Sequence, residues 1–209
     1  MEQVFRRIYE RNTWGLGSGP GSLPGGLEAY VGFLQGVLRT SRPSRVVDLG
    51  CGYFSPYANI DWGDCHYIGI DVVAKCIRQN LRYSTPKRAF LRRDWCHMPK
   101  LPEADLALCK DVLQHWNHQY VCRGLARLSK YPLVLITNSI MCGRRVVNAE
   151  IGTGGFRPLN VAEPPYCLRA KKSQVYRVKT NAELDKKLIF LWEPRTNPAP
   201  FEAVPLIES

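Results

Sequence analysis

No apolar stretch in this 209-residue sequence reaches the length of a bilayer-crossing helix. The opening Met1-Glu2-Gln3-Val4-Phe5-Arg6-Arg7 scatters charge where a secretory leader would carry an apolar run. Membrane insertion is therefore not expected, and the compartment expected is the cytoplasm, the host's if the source is viral. Also lacking is any C-x-x-C pair: the eight cysteines, Cys51, Cys65, Cys76, Cys96, Cys109, Cys122, Cys142 and Cys167, are spread along the chain. That spacing argues against a disulfide scaffold and against structural zinc, and it predicts reduced, packed thiols. Acidic residues are scarce, 18 against 29 Lys and Arg, for a net charge of +11. Basic pairs such as Lys87-Arg88, Arg92-Arg93, Arg144-Arg145 and Lys171-Lys172 could attract nucleic acid, nucleotide sugars or acidic glycans, or could simply form a basic solvated surface. There is no internal repeat.

With 45% hydrophobic residues, the chain can bury a core of its own. One domain is expected over residues 1–195. It comprises N-terminal helices and a Gly-rich loop (1–42), a central core (43–138), a long loop (139–172) and a terminal hairpin (173–195), with a loosely attached tail (196–209). Val4, Phe5, Ile8 and Tyr9 recur at helical spacing over residues 2–11, and Leu27, Tyr30, Val31, Leu34, Val37 and Leu38 do so over 27–39. Between these two helices lies the Gly-, Ser- and Pro-rich stretch from Trp14 to Ser22. After Pro43 the period changes to short continuous apolar runs, Val46–Leu49, Tyr67–Ile70, Ala104–Cys109 and Leu133–Thr137, with Ala89–Arg93 as a further strand. Helical stretches Val73–Leu81 and Tyr120–Leu128 separate them, which predicts buried parallel strands in a doubly wound α/β sheet. Val175–Lys179 and Leu188–Trp192, joined by polar Thr180–Lys187, read as a terminal hairpin. The stretch from about Asn138 to Lys172 lacks periodicity, and an irregular loop well beyond ~15 residues is more often functional than idle.

The first strand ends in Asp48-Leu49-Gly50-Cys51-Gly52, a turn in which glycine lets backbone approach a ligand closely. A dinucleotide site would want a third glycine three residues after Gly52, and Ser55 stands there, so a cofactor without a pyrophosphate fits better. The next strand ends in Asp71, where a carboxylate can accept from both ribose hydroxyls. Asp94 with Trp95 follows the third strand, placed to meet an adenine amine and its ring, although Asp94 could equally answer Arg92 and Arg93 at the surface. The fourth apolar strand delivers Lys110, Asp111 and His115 to the same rim.

The run from Ala104 to Trp116 resembles the fourth motif of class I S-adenosylmethionine-dependent methyltransferases. Over Tyr9 to Glu193 the chain is further similar to a group of small methyltransferases of bacterial and large-virus glycan pathways. The residues that carry this are Tyr9, Trp14-Gly15, Ser18-Gly19-Pro20-Gly21-Ser22, Asp48–Gly52, Cys109–His115, Gly155-Phe156-Arg157-Pro158-Leu159-Asn160, Pro164-Pro165-Tyr166 and Leu191-Trp192. Departures are Tyr53-Phe54 where relatives carry an acid and an aromatic, and Asn148-Ala149-Glu150-Ile151 where they carry Asn-x-Asp-Ile. The resemblance implies a Rossmann-like class I fold, a mostly parallel seven-stranded sheet with a C-terminal antiparallel hairpin and helices on both faces. It implies S-adenosylmethionine at Asp48, Gly50, Cys51, Gly52, Asp71, Val72, Asp94, Trp95, Lys110 and Trp14, and substrate contacts from Asn148, Glu150, Arg157 and Asn160 in the long loop.

Methyl transfer to a hydroxyl benefits from a positioned base, and His115 suits that role because its ordinary pKa of about 6.5 lies near neutrality. Asp111 could orient it, act as the base, or help hold a divalent metal. His115 could also simply cap local packing. Arg157 could grip an anionic or diol substrate, or pin the loop by bonding backbone carbonyls. The acceptor implied is a sugar hydroxyl of a glycan or nucleotide sugar, such as a deoxysugar. The alternatives are an RNA ribose, favoured by the basic charge but lacking a clear second catalytic lysine, and a cofactor-binding protein without catalysis, which intact Asp71, Asp111 and His115 oppose. Glu163-Pro164-Pro165-Tyr166 follows the fifth strand and not the fourth, which argues against methylation of nucleobase amines.

Overall fold

A computed structural model describes residues 1–14, 27–141, 147–179 and 184–200. Helix α1 (Glu2–Glu10) and helix α2 (Glu28–Ser41) precede strand β1 (Arg45–Leu49). Then come β2 (His66–Asp71), α3 (Ala74–Asn80), β3 (Arg88–Arg92), β4 (Leu106–Lys110), α4 (His118–Leu128), β5 (Leu133–Met141), β6 (Lys172–Lys179) and β7 (Leu184–Trp192). The seven strands form one sheet in the order β3-β2-β1-β4-β5-β7-β6. Pairs from β3 through β5 are parallel, and β7 runs antiparallel to both β5 and β6.

The local causes are readable. Helix α2 turns Tyr30, Phe33, Leu34, Val37 and Leu38 inward at three- and four-residue spacing, and it stops at Arg42, whose left-handed φ of 43° precedes Pro43. Helix α4 starts where the Asn117 side chain accepts from the Tyr120 N–H at 2.9 Å. Each central strand is apolar on both faces, so the sheet carries two core layers. Val46, Leu106, Leu108 and Leu135 pack with α2, while Val47, Leu49, Cys109, Val134 and Ile136 pack with α4. Of the seven cysteines among the described residues, all are free and five are buried.

Three boundaries differ from the sequence reading. Strand β5 runs on through Met141, with a bulge between Ser139 and Met141, so Asn138 belongs to the sheet and not to the long loop. Strand β6 begins at Lys172 and β7 at Leu184, so Leu184–Lys187, read as part of a polar connection, is strand. The reason is that Asp185 and Lys187 point inward to charged and hydroxyl partners, and such pairing satisfies polar side chains that an apolar pattern cannot anticipate. Residues 15–26, 142–146, 180–183 and 201–209, on which parts of the expected Gly-rich loop, long loop, hairpin connection and tail fall, lie outside the described residues. Among the described residues, no helix is long and apolar enough to cross a membrane.

Candidate active site

The order of strands reverses between β1 and β4, and in open α/β sheets the crevice at the carboxyl ends of such neighbours is where ligands bind. A cleft opens there. Its wall includes all ten residues expected to meet a cofactor, Asp48, Gly50, Cys51, Gly52, Asp71, Val72, Asp94, Trp95, Lys110 and Trp14, together with Asp111 and His115.

The glycine turn is built by backbone bonds. Gly50 and Cys51 N–H both donate to the Ile70 carbonyl, at 2.8 and 3.1 Å, folding the chain back over the end of β2. Gly50 has φ of 85°, and a Cβ placed on it would lie 2.4 Å from a Val112 methyl, so conformation and space both demand glycine. One Asp71 oxygen accepts from Gly52 N–H at 2.9 Å and the other from Val73 N–H at 2.8 Å. Burial raises the Asp71 pKa while these amides oppose it. Asn80 clamps the turn from below, accepting from Phe54 N–H and donating to the Gly52 carbonyl at 2.7 Å. Asp48 accepts from the Tyr67 hydroxyl at 2.8 Å, and burial pushes its carboxyl up to about 7. At the end of β3, Asp94 accepts from Cys96 N–H at 3.0 Å and pairs with His97 at 2.8 Å, while buried Trp95 packs its ring 5.0 Å from that of Trp116.

At the other end of the cleft, Asp111 adopts φ of 57° and sits between two ammonium groups. Lys110 Nζ lies 2.6 Å from one of its oxygens and Lys187 Nζ 2.5 Å from the other. Burial alone would raise the Asp111 pKa, but the two cations outweigh it and hold the carboxyl well below the usual carboxylate range. Burial lowers Lys110 in turn. His115, 7% exposed, directs Nδ1 at the Gly155 carbonyl 2.8 Å away, while its Nε2 faces Gln114 Nε2 at 3.3 Å. Gln114 is oriented by Ser139 N–H, which donates to its Oε1 at 2.7 Å, so its amide nitrogen is the group offered to His115. Nδ1 of His115 therefore carries the proton and Nε2 accepts. Burial lowers the imidazole to about 4, so it is neutral at physiological pH. Trp14 stacks on it at 4.4 Å.

Four loop residues given substrate contacts do not line this cleft. Asn148 is spent on the loop: Oδ1 accepts from Asn160 N–H, and Nδ2 donates to the carbonyls of Asn160 and Pro164 at 2.9 and 2.8 Å. Arg157, 2% exposed, donates to the Trp116 carbonyl and to the Tyr166 hydroxyl, the loop-pinning alternative in its sequence reading. Glu150 accepts from the His118 N–H at the start of α4. Asn160 Oδ1 accepts from Ala162 N–H at 3.0 Å. Asn148 and Asn160 bond within the loop, whereas Glu150 and Arg157 bond the start of α4 and the Trp116 carbonyl, 32 and 41 positions away, which a polar loop sequence does not disclose.

Sequence reasoning also passed over groups that bond the cleft's lining residues: Lys187 reaches Asp111, Gln114 faces His115 and Tyr67 donates to Asp48. Lys187 was placed in a connecting turn, and Gln114 and Tyr67 were unremarked inside motif and strand. Phe5, Tyr9 and Met1 of the α1 region cover the cleft beside Trp14. Lys187 is buried and pairs with Asp111. Among the described residues, no group of three His, Cys, Asp or Glu is arranged to hold a metal ion.

No sequence-family model matches the chain, and no curated protein matches it in sequence. Solved structures do match its fold. The Burkholderia thailandensis 1,6-didemethyltoxoflavin-N1-methyltransferase, solved with its substrate and S-adenosylhomocysteine, aligns with TM-score 0.64 at 15% identity over 92% of this chain and 86% of that one. The N-methyltransferase NodS of Bradyrhizobium japonicum, with S-adenosylhomocysteine, gives 0.63 at 16% over 92% and 97%. The magnesium protoporphyrin IX methyltransferase of Synechocystis, with S-adenosylmethionine, gives 0.57 at 13% over the same shares. The fold is thus that of the Rossmann-like class I methyltransferases, seven strands with the antiparallel hairpin at one edge.

Proposed function

We propose that this protein is an S-adenosylmethionine-dependent O-methyltransferase whose acceptor is a sugar hydroxyl of a glycan or nucleotide sugar. One observation carries the cofactor reading: the glycine turn, Asp71, Asp94 and Trp95 converge on a single cleft at the switch point of the sheet. The donor set suits a nucleoside. Asp71 keeps lone pairs for ribose hydroxyls beyond its two backbone bonds, and Asp94 beside the Trp95 indole offers an acceptor and an apolar face to an adenine. The Gly50 position, which a Cβ would fill, lets backbone approach the ligand. When bound, S-adenosylmethionine supplies an electrophilic methyl group.

What remains for the chain is alignment and proton handling. His115 is the better base of the two residues considered. It is neutral, its Nδ1–H is committed to Gly155, and its unprotonated Nε2 would take the proton in exchange for the bond it accepts from Gln114. Asp111, held between two lysines, is a poor proton acceptor and serves to position them. The glycan acceptor rests on the resemblance of the Trp14, Asp48–Gly52, Cys109–His115 and Gly155–Asn160 segments to small glycan-pathway methyltransferases. An RNA ribose is the second reading, favoured by the net charge of +11.

Calorimetric titration with S-adenosylmethionine tests the core of this, and an absence of binding sinks it. Incubation with methyl-labelled cofactor and separate panels of deoxysugar glycans and RNA then assigns the acceptor by which panel takes up label.

A further inference from the structure

Helix α1 touches the cleft with one pair of side chains and the long segment with another. Phe5 and Tyr9, one turn apart, line the cleft, and the Tyr9 ring stands 5.9 Å from that of Tyr53. The adjacent pair on the helix, Val4 and Ile8, meets a tight turn of the long segment instead. There Gly155 N–H donates to the Gly152 carbonyl at 3.0 Å, and Gly154 has φ of 97°, the positive φ that the third residue of a type II turn requires. A Cβ on Gly154 would collide with a Val4 methyl and lie 3.4 Å from Ile8 Cδ1, so α1 seats two side chains on bare backbone.

The turn that α1 covers grips His115. Gly154 N–H donates to the His115 carbonyl at 2.8 Å, and Arg157 N–H donates to the Gln114 carbonyl at 3.2 Å. The Gly155 carbonyl lies 2.8 Å from Nδ1 of the imidazole. A carbonyl has no proton to give, so this bond exists only with the proton on Nδ1. In a neutral imidazole the nitrogen that carries the proton is set by the bond the other one makes. Free in water, the ring prefers its proton on Nε2, and in that form Nε2 could not accept another.

Resting on the reading of His115 as the base, we propose that α1 and the Gly152–Gly155 turn form a tautomer clip. By seating Val4 and Ile8 on Gly154, α1 holds the Gly155 carbonyl against Nδ1 and keeps Nε2 unprotonated, so the base is armed only while α1 is docked. Val4, Ile8 and Gly154 lie outside the cleft wall and are positioning residues. In the step they serve, the acceptor oxygen bonds the methyl carbon as the carbon–sulfur bond breaks, its electron pair staying on sulfur. The hydroxyl proton passes to Nε2 and from there to solvent, while Nδ1 keeps its own proton and its bond to Gly155.

The test needs no known acceptor. The chain has four histidines, His66, His97, His115 and His118, and a two-bond proton–nitrogen spectrum of the full chain labelled at histidine reads the tautomer of each. His115→Gln assigns the signal of interest. Wild type is expected to show His115 as the Nδ1–H form. Val4→Ala combined with Ile8→Ala should shift its tautomer ratio towards Nε2–H by about tenfold, the worth of about one hydrogen bond, while Val4→Ile keeps the wild-type pattern. An Nε2–H form in wild type, or an unchanged ratio in the folded double variant, overturns the clip. If the double variant does not fold, Val4→Ala alone decides by the same criterion. Retained turnover in His115→Gln, measured on the acceptor panels above, sinks the base reading and the clip's purpose with it; that failure leaves the wild-type tautomer spectrum as expected and is thereby distinguishable.

Discussion

Gly50 and His115 show how much single positions decide. A methyl group at Gly50 meets Val112 and forces a side chain into a φ of 85°, a conformation that costs non-glycine residues about 1–2 kcal/mol before any clash. Gly50→Ala is therefore expected to lower stability by about 2 kcal/mol or more and to abolish S-adenosylmethionine binding, read by chemical denaturation and calorimetry together. For His115 the folded pKa of about 4 lies below the ordinary value. Its contribution to stability is thus present above pH 6.5 and lost as pH falls towards 4, amounting to about 3 kcal/mol for a shift of this size. Asp48 has the opposite sign: raised to about 7, it is most favourable when protonated, and its cost grows as pH rises from 4 to 7. Relative to wild type, His115→Gln should gain stability on acidification across that window, and Asp48→Asn should gain it on alkalinisation. Urea midpoints at several pH values check both. In turnover assays His115→Gln is expected to lose most activity with cofactor affinity near wild type; retained turnover would move the base elsewhere. The glycines and acids of these positions were legible in the sequence because their spacing follows strand ends. The protonation states were not, because they depend on burial and on neighbours distant in the chain.

Among the elements, the segment from Val147 to Leu168 changes meaning most. Read as sequence, its Asn, Glu and Arg side chains suggest a surface for substrate; in the fold they bond the segment to itself, to the start of α4 and to the Trp116 carbonyl. Gly154 N–H donates to the His115 carbonyl at 2.8 Å and Leu159 N–H to the Ser139 carbonyl at 2.7 Å, so backbone bonds tie the segment to the His115 end of the cleft and to β5. Asn148→Ala should cost about 2–3 kcal/mol, since it strands the part-buried Asn160 N–H and two carbonyls that Asn148 now serves. The loss is expected in thermal stability, with any change in KM following from a displaced Gly155 carbonyl. A direct substrate role would instead raise KM in a protein of unaltered stability. Strand β7 carries the other element-scale lesson. Its Asp185 and Lys187 broke the apolar alternation that marks strands, and only the facing residues of β5 and the Asp111 turn account for them.

For the molecule as a whole, a ligand that binds only the folded chain must raise its melting temperature. Both S-adenosylmethionine and S-adenosylhomocysteine are expected to do so, and the shift should vanish in Asp71→Ala, whose carboxylate underlies the glycine turn. The charge of +11 predicts weak association with nucleic acid that falls steeply with salt. If RNA is the acceptor, binding should keep a salt-resistant, sequence- or structure-dependent part; if a glycan is, it should not. A fluorescence-anisotropy titration at two salt concentrations separates these.

The sequence by itself determined the architecture and the glycine-turn end of the cleft. Strand periodicity, the Gly50 and Gly52 turn and the acids at successive strand ends are local signals, set by backbone geometry within a few residues. Tertiary structure alone decided the Asp111 and His115 end. Lys187 meets Asp111 across 76 positions of chain, Gln114 and Gly155 fix His115 from two elements, and Asn148 and Arg157 turn inward. Those outcomes depend on which charges and hydrogen-bond partners packing brings together, and no local pattern of residue types encodes that.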